Sequence, residues 1–177
     1  AKDRVDIATD KAAAFMVKMQ MANGSFSDSS ARQAAQNGYA MTALGIMALA
    51  SIGHQPVDPS RKGVAMKKAL DFILRRDRQR GPKEYFGYDG GRMYGHGITT
   101  LCLTEMLGMT VTRTQEARLR EVTTKAVDLI LTSQRVAKSS PKYRGGWRYT
   151  PTARDSDLSV TVWQLMALRS AKNAGLK

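Results

Sequence analysis

A chain of 177 residues, 42% hydrophobic and 24% charged, is long enough to bury a core and too apolar to be a disordered tail. Its 28 Lys and Arg against 15 Asp and Glu give a net charge of +13, which admits an anionic partner without naming one. The one cysteine, Cys102, excludes an internal disulfide and a cysteine-rich metal site.

Alanine, leucine and methionine dominate the apolar set, which favours helix over strand. The spacing of apolar residues predicts six helices, at about 3–21, 38–52, 61–79, 96–108, 114–136 and 157–173. The first is amphipathic and is followed by the loop Asn23-Gly24-Ser25-Phe26. The second is apolar nearly all round (Met41, Leu44, Ile46, Met47, Leu49) and stops at Gly53. This stretch, 39–52, is too short to cross a bilayer. Pro59 and Ser60 open the third helix, whose end carries Arg75, Arg76, Arg78, Arg80 and Lys83, interrupted by Asp77. Cations there complement the helix dipole, and no aromatics interleave them as a single-strand binder would require, so nucleic acid is not the expected partner. The loop Gly87-Tyr88-Asp89-Gly90-Gly91 lacks the Lys-Ser/Thr ending of a phosphate-binding loop. Gly108 stops the fourth helix, which holds Cys102 as an inert thiol, and Thr112 to Thr114 start the fifth.

The helices fall into three copies of one hairpin. Lys11-Ala12, Lys68-Ala69 and Lys125-Ala126 open matching segments, each 57 residues after the last. Each is followed by a Gly-rich loop and then by a second apolar run at Thr42, Thr99 and Thr161; the last loop holds about five extra residues. The expectation is an all-α chain of three repeats, about 1–58, 59–113 and 114–177, with charged helices outside and apolar helices inside.

The first unit reads Lys11, Ala12, Phe15, Met16, Gln20, Gly24, Phe26. This resembles the repeat of triterpene cyclases called the QW motif: basic, small, aromatic, aliphatic, Gln, Gly and Trp at fixed spacing, with Phe26 for the Trp. Unit three has Lys125, Ala126, Leu129, Ile130 and Gln134, then Trp147 after a longer loop; unit two keeps Lys68, Ala69, Phe72 and Ile73 but has Asp77 where Gln belongs, with Gln79 two residues late. The chain thus resembles the squalene cyclase and prenyltransferase superfamily. The resemblance implies an α/α toroid whose joints are tied by Gln20 with Phe26 and by Gln134 with Trp147. Three hairpins are about half of such a ring, so a partial or open ring is expected, with its open edges covered by a second copy or by the rest of a longer parent. The start at Ala1 rather than Met implies that something N-terminal has been removed, and the chain is expected to be soluble, with export or a cell-envelope setting as its context.

Candidate chemistry gathers before the sixth helix. In squalene-hopene-type cyclases an Asp-x-Asp-Asp-Thr motif protonates a double bond. Asp155, Asp157 and Ser159 match its first two acids and its Thr, while Leu158 replaces the last acid. By resemblance Asp157 is the acid and Asp155 its partner; by position Asp157 is a helix N-cap, as Asn37 is expected to be in unit one. His96 either binds a ligand at a cavity mouth or satisfies loop carbonyls. Glu105, among Leu101, Leu103, Met106 and Leu107, should be paired, for which Arg92 and Arg113 are candidates. Trp163, Tyr39 and Tyr94 either line an apolar cavity that takes an isoprenoid chain or belong to the core. His54, His96 and Cys102 lack zinc-site spacing, so no metal or cofactor is expected. Two readings follow: a non-catalytic binding or scaffold repeat domain, which is preferred, and a triterpene-cyclase-type isomerase or lyase fragment with Asp157 as general acid.

Overall fold

The computed structural model describes residues 2–26, 36–76 and 80–176. Among them are six α-helices and no strand: α1 (Arg4–Met19), α2 (Gly38–Ser51), α3 (Arg61–Leu74), α4 (Arg92–Glu105), α5 (Arg113–Gln134) and α6 (Leu158–Asn173), with a 3-10 turn at Pro141–Tyr143. The all-α expectation holds.

Local chemistry sets most helix starts. Asp3 caps α1 through a capping box with Asp6. Ser60 Oγ accepts from the Gly63 amide at 3.2 Å to open α3, and Thr112 Oγ1 from the Gln115 amide at 3.1 Å to open α5. Two inner helices start differently. Asn37 sits at φ 63° and its side chain caps nothing, contrary to expectation. Instead Asp89, from the loop of the next unit, accepts from the Tyr39 amide at 2.9 Å and, through its carbonyl, from the Asn37 amide at 2.9 Å. Likewise the Met93 amide at the start of α4 donates to the Tyr149 carbonyl of the third unit at 3.0 Å. Each of these helices is capped by the unit that follows it.

The helices pack in two layers. One holds α2, α4 and α6 side by side with α4 in the middle; the other holds α1, α3 and α5, and the layers meet where α2 packs on α3 and α4 on α5. The main core joins Ile46, Leu49, Met66, Leu70, Ile73 and Leu103, and a second one joins Met93, Leu101, Ile130, Trp147 and Val160; Met47 and Trp163 touch both.

The repeat joints are visible as hydrogen bonds. Gln20, at the end of α1, donates from Nε2 to the Gly24 carbonyl at 2.9 Å and to the Ala65 carbonyl of α3 at 2.8 Å. One amide thus closes its own loop and ties the next outer helix to it. Gly24 must be glycine: it sits at φ 92°, and a Cβ there would lie 2.3 Å from the Lys68 carbonyl oxygen. Phe26 lies against Gly45 of α2, and its amide donates to Thr42 Oγ1 at 3.1 Å. The third unit repeats the pattern: Gln134 Nε2 to the Gly145 carbonyl at 2.8 Å, and the Trp147 amide to Thr161 Oγ1 at 3.1 Å. The buried Trp147 indole also donates to the Ile130 carbonyl at 2.9 Å.

The Gln20→Leu variant should lose about 1–3 kcal/mol, because two part-buried carbonyls give up their donor. Urea unfolding followed by circular dichroism measures it.

The second joint is built from charge. Asp77 and Gln79, at and near the motif's Gln position, lie outside the described residues. Arg80 is fully buried, its guanidinium donating to the Ile73 and Arg75 carbonyls at the end of α3. Glu84 lies between it and Arg118 of α5, 2.9 Å from each. Arg80 thus serves the α3 C-terminus as the basic cluster was expected to, but from the interior.

Candidate functional site

The Asp155-Ser156-Asp157 segment leads into α6, and the helix start fixes its geometry. Asp157 Oδ1 accepts from the Val160 amide at 2.9 Å and from Ser159 Oγ at 2.7 Å. Its other oxygen, Oδ2, accepts from the Arg148 guanidinium at 3.1 Å, and the same guanidinium reaches Asp155 Oδ2 at 3.4 Å. The Val160 amide first, then Ser159 and the Arg148 charge, hold the Asp157 carboxyl below the usual carboxylate range. Both oxygens therefore act as acceptors. Tyr94 hydrogen-bonds Ser159 from α4, and Arg148 lies over the Tyr149 ring at 4.5 Å. The structure so brings Asp155, Asp157 and Tyr94 into one cluster.

The other expected site residues lie apart from it. His96 is fully buried in α4. Its Nδ1 accepts from the Phe86 amide at 3.4 Å, and Nε2–H donates to the Ala126 carbonyl at 3.0 Å, which fixes the tautomer and uses both nitrogens. Burial pushes its pKa down to about 4, against the smaller opposing effect of the Ala126 carbonyl. His96 is thus a neutral link between α4, α5 and the second loop. Tyr39 is core, its ring 5.6 Å from Phe72 and 5.3 Å from Phe86. Trp163 is half-buried between the two core clusters.

Glu105 departs from expectation. It is exposed at the end of α4 and accepts from Ser170 of α6; Arg92 and Arg113 do not reach it. It stands on the rim of an open groove of about 450 Å³ in the inner layer, lined by Met47, Ala50, Leu101, Met106, Met109 and Met166. A second cleft, of about 520 Å³, runs between the loops of units two and three, with Pro82, Tyr85, Tyr88, Leu129 and Pro151 on its walls. Burial raises the Tyr85 hydroxyl to about 12, so it stays protonated. Reasoning from sequence missed both clefts and the Arg80–Glu84–Arg118 cluster, because each is assembled from segments far apart in the chain.

Among the described residues no three His, Cys, Asp or Glu side chains converge as metal ligands, and no helix is long and apolar enough to cross a membrane. Burial raises the Cys102 thiol above its ordinary value, so it carries little thiolate. No family profile, curated protein or solved structure matches the chain.

Proposed function

We propose that this chain is a non-catalytic binding or scaffold module of the squalene-cyclase and prenyltransferase repeat type, with the inner-layer groove as its ligand surface. The state of Asp157 carries the reading. General acid catalysis on an alkene needs a carboxyl whose proton is labile, and Asp157 is instead held ionised by an amide, a hydroxyl and a guanidinium. The groove suits an apolar chain: four methionines supply an adaptable lining, and Glu105 with Ser170 offers one polar anchor at the rim.

The test titrates a lipophilic fluorescent probe into the protein and displaces it with farnesol. The partly exposed Met166→Lys should remove most of the probe signal while leaving the helical circular dichroism unchanged. Incubation with squalene should give no cyclised product. Product that the Asp157→Asn variant abolishes would overturn this reading in favour of a cyclase fragment. On the proposed reading Asp157→Ala costs only stability, through the lost N-cap, and Asp157→Asn costs less because Asn also caps. Thermal melts measure both.

A further inference from the structure

The repeat register pairs several exposed apolar positions with counterparts that are buried or partly buried. Residues 57 apart in the first two units, and 62 apart between α4 and α6, hold one repeat position. On α2 the positions Tyr39, Ala43 and Ile46 are buried, and on α4 their counterparts His96, Thr100 and Leu103 are buried too. In both cases the following unit covers them: Tyr39 meets Phe72, and His96 bonds the Ala126 carbonyl. On α6 the same positions are Leu158, Val162 and Leu165, and Leu158 is 81% exposed and Leu165 62%.

The opposite edge shows the other half of that interface. Phe72, the partner of Tyr39, corresponds on α1 to Phe15, which is 63% exposed. On α2, Met41 and Leu44 are exposed where α4 has the buried Ile98 and Leu101. The Gln joints show the same asymmetry between the two edges. Gln20 bonds both its own loop and the Ala65 carbonyl of the next outer helix, and the Lys68 carbonyl backs Gly24. Gln134 makes the loop bond to Gly145, whose φ of 84° matches the 92° of Gly24, yet nothing lies within 4 Å of a Cβ built on it. Among the described residues no outer helix follows α5 to offer Gln134 the second acceptor.

We propose that a second copy of this chain docks head to tail on the α5–α6 edge, presenting its own α1–α2 edge. The contact repeats the one used twice within each chain. Phe15 of the second copy lies beside Leu158, and Gln134 donates to the second copy's Ala8 carbonyl, the counterpart of Ala65. The occupant is a second copy because both halves of the interface are carried, bare, on one chain, and they match in register. Pairing like edges would set Leu158 against Leu158 and leave Gln134 without its acceptor. The interface is heterologous, so copies close a ring or run on as a chain. With a net charge of +13 on each copy, repulsion opposes docking, and added salt should tighten it.

Light scattering on the intact chain at low and high salt reads the mass, and a short bismaleimide reads the geometry. The expected result is a mass above one copy, rising with salt and returned to one copy by Leu158→Lys, an exposed change that leaves the helical signal intact. Copies carrying Leu158→Cys should cross-link to copies carrying Phe15→Cys, while neither cross-links with itself; Cys102 is fully buried and stays silent. A single-copy mass at both salt levels overturns the proposal and leaves these edges to a further repeat or another partner. Cross-links of Leu158→Cys with itself, as efficient as the mixed ones, overturn the head-to-tail arrangement.

Discussion

The Arg80→Met variant is expected to lose about 3–5 kcal/mol, read as a lower urea midpoint with an unchanged slope. Arg80 is fully buried, and its guanidinium serves several partners at once. It donates to the Ile73 and Arg75 carbonyls, which the end of α3 leaves without helical donors. Its Nε lies 2.9 Å from Glu84 Oε2; the pair is close but angled away from a hydrogen bond, so that contact is chiefly electrostatic. The cation also lies over the Tyr39 and Phe86 rings, at 5.3 and 5.0 Å. Methionine fills much of the volume but returns none of the hydrogen bonds, and it leaves the buried Glu84 with Arg118 alone, at 2.9 Å. Losing one partner of a buried pair costs more than losing both. The double variant Arg80→Met with Glu84→Gln should therefore be more stable than the single one, and a double-mutant cycle measures that coupling. Strict additivity would show that Glu84 does not depend on Arg80.

The sequence was most readable where structure is local. Ser60 and Thr112 cap the helices they precede, because an N-cap needs only a side chain and an amide three residues on. The Gln20 joint was readable as a motif because its spacing repeats. Boundaries set by other units were not. The fourth helix was expected from residue 96 but begins at Arg92, where the Tyr149 carbonyl of the third unit takes the Met93 amide. Its extra turn includes Gly95, and Gly97 follows inside the helix, where a Cβ would lie 2.5 Å from Gln164 Nε2 of α6. Gly97 marks the close packing of α4 on α6, and Gly95, which the expected start at residue 96 leaves in the loop, is helical instead. The third helix was expected to reach 79 but ends at Leu74, because Arg80 folds back on its last carbonyls. Glu105 was assigned to the interior from its apolar neighbours, yet α4 turns that position toward the groove rim. At the start of α4 and at Glu105 the deciding atoms belong to segments tens of residues away, while at the end of α3 Arg80 lies only seven residues on from Ile73.

Acidification from pH 6.5 to about 4 should remove about 3 kcal/mol of stability through His96 alone. Folding buries the imidazole and lowers its pKa from 6.5 to about 4, so on acidification the unfolded chain takes up the proton first. The contribution is complete above pH 6.5, is lost as pH falls toward 4, and stays constant below that. Asp157 acts in a different window: its carboxyl is held below its ordinary 3.8, so its contribution fades only at still lower pH. Groups other than His96 are common to the parent and to a His96→Leu variant and cancel between them. At neutral pH, His96→Leu should cost about 2–4 kcal/mol, because the Phe86 amide and the Ala126 carbonyl lose their partner inside the core. Between pH 6.5 and 4 its stability should then fall much less steeply than that of the parent, so the two curves converge. Urea unfolding at half-unit pH steps makes the comparison, and parallel curves would assign the acid sensitivity to groups other than His96.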